Sequence, residues 1–328
     1  MKECLFYIKK EDDVICLLCP KTCRIKNNEV GFCGVRKNIN GKLISLVYNR
    51  PIAINIDPME KKPLYHFYPN EKILSIGTYG CNLDCLNCQN YDITHVKFDF
   101  SLCYNLNSED IINIAKKNNL KFIAYTYNEP TVFFEYMLDI AKLAKENGIK
   151  NVMVTNGYIN NKPLKILIEY IDAFNVDVKS FNEETYKKLT TGSLRPVLET
   201  IKTIKSHNKW LELTWLVVPN FSDNENEFES FISWLSELDR YIPLHISRFF
   251  PMYKLASSYP TPIETLERFY KIAKRKLAYV YLGNVYEKQD TYCYQCGKKV
   301  IERKGYYIKN LLVNGKCPFC NTKIHGFF

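Results

Sequence analysis

No run of about eighteen apolar residues occurs in this 328-residue chain, which argues against a membrane span. The opening residues, Met1-Lys2-Glu3-Cys4-Leu5-Phe6, lack the basic stretch, apolar core and small-residue cleavage site of a secretory signal, so a cytoplasmic location is expected. Internal repeats of about twenty to fifty residues are missing, and so are low-complexity tracts, which leaves no basis for a solenoid or a biased linker. There is also no long Arg-rich run. The formal charge of +10 therefore carries little argument for nucleic acid. That count treats every thiol as neutral. Four thiolates on zinc carry about −2 and a three-thiolate iron–sulfur cube about −1, so two such zinc sites and one cube would bring the net to roughly +5. A lysine-rich solvated surface accounts for the rest.

What is present in excess is cysteine. Thirteen occur, and eleven fall into three tight groups: Cys16, Cys19, Cys23 and Cys33; Cys81, Cys85 and Cys88; and Cys293, Cys296, Cys317 and Cys320. In a reducing compartment such clusters bind metal rather than pair as disulfides. Cys4 and Cys103 stand alone and read as small apolar or surface residues.

Between the two outer groups, strand-like and helix-like segments alternate. Strands fit 73–77, 122–127, 151–155, 173–178, 211–218, 243–247 and 278–282. Helices fit from Ser108, as cap, onward; from near Thr131 along Val132, Phe133, Tyr136, Met137, Ile140 and Ala144; and over about 195–206, 226–238 and 263–275. Apolar strands paired with helices predict a parallel α/β sheet that curls toward a barrel, with its chemistry at the loops after the strands' carboxy ends. The predicted division is a Cys4 extension over 1–70, the α/β domain over 71–288 and a Cys4 module over 289–328.

Gly80-Cys81-Asn82-Leu83-Asp84-Cys85-Leu86-Asn87-Cys88 follows the first of these strands directly. Four thiolates would saturate a 4Fe–4S cube, whereas three leave one iron open for a substrate or cofactor. Spacings of three and two residues, in this position, resemble the radical S-adenosylmethionine (SAM) superfamily. The resemblance implies a partial (βα)6 TIM-like barrel. It also implies a 4Fe–4S cluster on Cys81, Cys85 and Cys88 that reductively cleaves SAM to a 5′-deoxyadenosyl radical, which abstracts hydrogen from a substrate. Tyr127-Asn128-Glu129-Pro130 resembles the superfamily's Gly-Gly-Glu-Pro element, so Glu129, with Asn128 beside it, is expected to receive the methionine amino group.

Thr155-Asn156-Gly157 and Asp177-Val178-Lys179 resemble the strand ends of glycyl-radical-enzyme activases, including pyruvate formate-lyase activating enzymes. By that likeness Asn156, Asp177 and Lys179 contact SAM, with Lys179 neutralising its carboxylate; Val154 stands where the family has Asp. Thr190-Thr191-Gly192-Ser193 and Val217-Val218-Pro219-Asn220 fit the same pattern, with Asn220 at a usual glycine. Arg248 and the two histidines near the cluster loop, His66 and His95, are further polar candidates, though surface or half-buried roles serve each as well.

Cys293-x2-Cys296 and Cys317-x2-Cys320 have zinc-ribbon spacing, with an electron-transfer iron as rival. Tyr306, Tyr307, Phe327 and Phe328 there either touch nucleic acid or cover the barrel. Cys16-x2-Cys19-x3-Cys23-x9-Cys33 suits zinc or an auxiliary 4Fe–4S cluster, with zinc favoured. The chain as a whole resembles the radical SAM component of the AmmeMemoRadiSam system through Cys16-Leu17-Leu18-Cys19-Pro20, Gly31–Arg36, Asp57–Phe67 and Tyr125–Pro130. That likeness implies association with Memo-like and AMMECR1-like proteins, and the chemistry requires an electron donor such as a ferredoxin or flavodoxin. Rival functions are glycyl-radical activation of a partner protein, modification of RNA or a metabolite, and a non-enzymatic zinc-binding or nucleic-acid-binding scaffold.

Overall fold

Seven apolar segments align as parallel strands in the computed structural model, which describes residues 1–95, 98–286, 289–305 and 307–328. They are β2 (Lys72–Gly77), β3 (Phe122–Tyr125), β4 (Lys150–Thr155), β5 (Ala173–Val178), β6 (Trp210–Val217), β7 (Leu244–Arg248) and β8 (Val280–Gly283). An eighth strand, β1 (Ala53–Pro58), pairs antiparallel with β2, so the sheet runs in strict sequence order from β1 to β8. Among the described residues β1 and β8 do not pair, and the barrel stays open between them. The sheet thus begins upstream of residue 71, the expected boundary; the boundary expected at 288 lies outside the described residues.

Helices α1 (Ser108–Lys117), α2 (Phe134–Glu146), α3 (Asn161–Ile168), α4 (Glu183–Thr190), α5 (Leu194–Ser206), α6 (Glu225–Asp239) and α7 (Ile263–Lys274) connect the strands. Covered by these helices, the strands are largely buried on both faces: all four residues of β3 are buried, and Trp215 in β6 is fully enclosed. Two helix starts differ from expectation. Asn107, not Ser108, caps α1: its side chain accepts from Asp110 N while Asp110 accepts from Asn107 N, a reciprocal pair that a first-turn Ser cannot supply. The segment at Thr131 is a 3-10 turn (Pro130–Phe133) before α2, because the Glu129 side chain bonds Thr131 N and holds that turn tight.

Small antiparallel sheets flank the barrel. Residues 1–45 form two three-stranded ones, and residues 291–310 a third. The amino-terminal part docks on α2 through Arg36 and Glu135, which pair in two bonds of 2.9 and 2.8 Å. The carboxy-terminal part docks where the strands begin. Phe327 exchanges backbone bonds with His66 and Tyr68 and packs edge-on against Trp210, while Arg303 donates to Tyr65 O at 2.7 Å. Phe327 therefore covers the barrel; Tyr307 is exposed, and Tyr306 lies outside the described residues. Beneath it, Glu212 accepts from Tyr65 N, His66 N, Trp210 Nε1 and His245 Nε2, so this buried carboxylate is saturated by protein donors.

Candidate active site

The loops at the carboxy ends of β2 to β5 meet over a cavity of about 520 Å3. Its wall includes Cys81, Cys85 and Cys88 together with Asn128, Glu129, Asn156, Asp177 and Lys179. Every residue expected to hold the cluster or SAM thus lies on one surface. The three thiols are not gathered on a point: among the described residues, Cys293, Cys296, Cys317 and Cys320 are the one group of three or more potential ligands whose donor atoms all fall within 4.8 Å of one another. No fourth cysteine lines the cavity. Three separated thiols facing a large space suit a cube with one open iron better than a single ion, whose ligands would close to about 3.8 Å.

The cysteine loop is held from several sides. Gly80 has φ +90°, and a Cβ there would sit 2.5 Å from Cys33 O, so only glycine lets the loop leave β2 against the amino-terminal extension. Asn128 accepts from Thr78 N (3.1 Å) and donates toward Gly80 O (2.9 Å). Its amide is committed to the loop, so Asn128 positions the loop while lining the cavity. Asn90 donates to Tyr127 O at 2.6 Å. The backbone N–H groups of Asp84 and Leu86 bond Thr190 O and Leu189 O at the end of α4, so the Thr-Thr-Gly segment buttresses the loop from outside the cavity.

Glu129 joins the ends of β3 and β4. Its Oε1 accepts from Thr131 N, Thr131 Oγ1 and Thr155 Oγ1, and its Oε2 from Asn156 N at 2.8 Å. Oε2 is the less committed oxygen. Burial pushes this carboxyl up against the pull of those donors. Asn156 donates to Asn82 Oδ1 (2.9 Å) with its amide nitrogen 3.9 Å from Cys81 Sγ, which couples β4 to the loop. Lys179 pairs with Asp177 at 2.6 Å. Burial pulls the Lys179 ammonium down, but Asp177 and the Cys85 thiolate outweigh it and the net shift is upward, so it stays a cation.

Tyr127 occupies the first glycine position of the Gly-Gly-Glu-Pro pattern and retains a left-handed φ of +72°. Such a conformation costs a non-glycine residue about 1–2 kcal/mol. Offsetting bonds run from the Tyr127 hydroxyl to Asp57 Oδ2 (2.7 Å) and from Asn55 Nδ2 to the hydroxyl (3.1 Å). Asn220 likewise keeps φ +66° where the family has glycine, a conformation Asn tolerates.

Other candidates fall elsewhere. His66 is buried at the opposite end of the barrel, with Nδ1 2.6 Å from His325 O and Nε2 2.6 Å from the Tyr281 hydroxyl. His95 stacks on Tyr253 beside Asp84, outside the large cavity. Arg248 Nε donates to Thr261 O, and Arg248 is not among the residues that line the large cavity. Sequence reasoning missed three wall residues. Lys61 and Lys62 both bond Asp57, which they and Tyr127 hold well below the usual carboxylate range despite burial. Asn87, inside the cysteine loop, has a buried Oδ1 with no protein donor among the described residues. The stretch Asp57–Phe67, already notable for its family likeness, was the available signal for the lysines.

In the carboxy-terminal group, Cys293 Sγ lies 3.6 Å from Cys320 Sγ and Cys296 Sγ 3.7 Å from Cys317 Sγ. These are the separations of thiolates around one tetrahedral ion.

The family model of the Radical SAM superfamily matches residues 75–235, which span the cysteine loop and β2 to β6. An uncharacterized protein of Methanocaldococcus jannaschii is 46% identical over 99% of this chain and 99% of its own. A second protein of that organism, named as a glycyl-radical enzyme activating enzyme, is 28% identical over 72% of this chain and 88% of its own. Among solved structures, Streptococcus suis SuiB bound to S-adenosylmethionine is similar in fold, with a TM-score of 0.52 and 15% identity, over 70% of this chain and 53% of that one.

Proposed function

The chain belongs to the radical SAM superfamily, and on that footing we propose that Cys81, Cys85 and Cys88 hold its 4Fe–4S cluster at the barrel mouth. It is an enzyme of SAM-dependent radical chemistry, which sets aside the non-enzymatic scaffold reading. When bound and reduced, the cluster supplies the electron that splits SAM into methionine and a 5′-deoxyadenosyl radical able to take hydrogen from a substrate. The observation that carries the assignment is that these three thiols, with no fourth, share one cavity wall with Glu129, Asn156, Asp177 and Lys179.

The chain's own residues then have distinct tasks. Lys179 supplies a half-buried cation for the methionine carboxylate, a charge-assisted bond of the stronger kind. Glu129 Oε2 and the backbone around it offer acceptors for the ammonium, and the orphan Asn87 Oδ1 offers another. Asn156 orients ribose or carboxylate while keeping the loop in register. Asn128 and Asn90 hold the loop and contact no ligand. Titrating SAM into the reduced, reconstituted protein tests this: its electron paramagnetic resonance (EPR) signal changes shape on SAM binding. A signal indifferent to saturating SAM would refute it.

A second reading, glycyl-radical activation of a partner protein, is favoured by the activating-enzyme relative that spans most of its own length here. It requires a protein substrate and a redox partner, the latter of ferredoxin or flavodoxin type. A persistent organic radical on a candidate partner after incubation is its test. RNA modification has less support, because the carboxy-terminal module sits where the strands begin, far from the mouth. That module we assign to zinc. Association with Memo-like and AMMECR1-like proteins rests on sequence likeness, and co-purification from a coexpressing strain tests it.

A further inference from the structure

We propose that Cys16, Cys19, Cys23 and Cys33 hold a second 4Fe–4S cluster, fully ligated by protein and packed against the loop that carries Cys81. The amino-terminal and carboxy-terminal groups each offer four thiols, yet they are built differently. The carboxy-terminal sulfurs converge as ligands of one ion do, whereas no three of the amino-terminal sulfurs fall within 4.8 Å of one another. Thiolates on a cube stand farther apart because each binds a different iron. All four instead line the wall of one small, mostly apolar cavity.

The walls suit such a group. Leu18, Ile25 and Val132 make them apolar, which keeps water from the sulfides. Arg36 reaches the same cavity and is 2% exposed. Its two terminal nitrogens are spent on Glu135, but its Nε has no partner. A buried N–H without an acceptor is costly, and sulfur on an anionic cluster is an acceptor of the right sign.

The two cysteine groups share a wall. Gly80 touches Cys33 O, and Asn82 lines the small cavity while it accepts from Asn156, whose amide faces Cys81. With four thiolates no iron is left open, so this second centre moves electrons or braces the fold and does not bind SAM. The proposal does not depend on the role given to Cys81, Cys85 and Cys88.

Full-length protein reconstituted anaerobically with ferrous iron and sulfide is compared with a Cys81→Ala/Cys85→Ala/Cys88→Ala variant and a Cys16→Ala/Cys23→Ala variant. Iron and acid-labile sulfide are expected near eight per chain in the first, and near four, a two-fold fall, in each variant, with zinc unchanged. Reduction of both centres broadens the EPR spectrum beyond the sum of the two variants. A triple variant that holds no iron and two zinc ions per chain overturns the proposal. It leaves the assignment of the barrel-mouth cluster intact. A triple variant that keeps all the wild-type iron refutes that assignment instead. Should the Cys16→Ala/Cys23→Ala chain fail to fold, the triple variant alone decides.

Discussion

Replacing Glu135 by Ala should release the amino-terminal extension from the barrel. Glu135 accepts from both terminal nitrogens of Arg36 and from Leu5 N at 3.0 Å. The Arg36 and Glu135 side chains are 2% and 0% exposed, so solvent screens neither. Removing one partner of a buried pair leaves an uncompensated charge and costs about 3–5 kcal/mol. At 1.4 kcal/mol per decade that shifts the docking equilibrium on the order of a thousand-fold. Hydrogen–deuterium exchange reads it directly: protection over Tyr7–Cys16 and Arg36–Ser45 should fall by about that factor, while β5 and β6 keep theirs. Because Cys33 abuts Gly80, iron bound at the barrel mouth should become easier to chelate. An Arg36→Met/Glu135→Leu pair, which removes both charges, should recover most of the protection. Unchanged exchange in Glu135→Ala, or a double variant no better than the single, would refute the reasoning.

Lys179→Met should weaken SAM binding by about ten- to a hundred-fold, the worth of one charge-assisted bond, with iron content unchanged; equilibrium dialysis measures it. Gly80→Ala should lower iron retention, since its Cβ would fall 2.5 Å from Cys33 O, and an unaltered iron stoichiometry would contradict the account of the loop. Cys317→Ser should remove one zinc ion per chain and leave iron untouched, which metal analysis separates from an electron-transfer iron. Burial, opposed by nearby Glu212, holds the His66 imidazole down at about 4, whereas an unfolded histidine titrates near 6.5. Between those values the unfolded chain binds more protons. Stability therefore falls as pH drops from about 6.5 to 4, by about 3 kcal/mol. Anaerobic melts of the wild type should lose that increment relative to His66→Gln, and identical pH slopes would sink the claim.

The sheet was legible because β2 to β8 are apolar runs separated by amphipathic helices, and position after β2 marked the cysteine loop. β1 was not, since Ala53–Pro58 is half-buried or exposed except at Asp57 and sits amid cysteine-punctuated turns. Likeness to the Gly-Gly-Glu-Pro element placed Asn128 beside Glu129 but could not show that its amide bonds Thr78 and Gly80. His66 lies near the cluster loop in sequence and at the far end of the barrel in space, because the strand between them traverses its length. The difference between the two Cys4 groups could not be read from spacing, which sets the order of ligands along the chain and not the distance between sulfurs.

The most direct test of the central claim is the fate of SAM itself. Anaerobically reconstituted protein, reduced with dithionite and given SAM, should form 5′-deoxyadenosine and methionine in equal amounts, and Cys85→Ala should form neither. Equal turnover in wild type and Cys85→Ala, or none in a wild type whose cluster is intact and reduced, would contradict it.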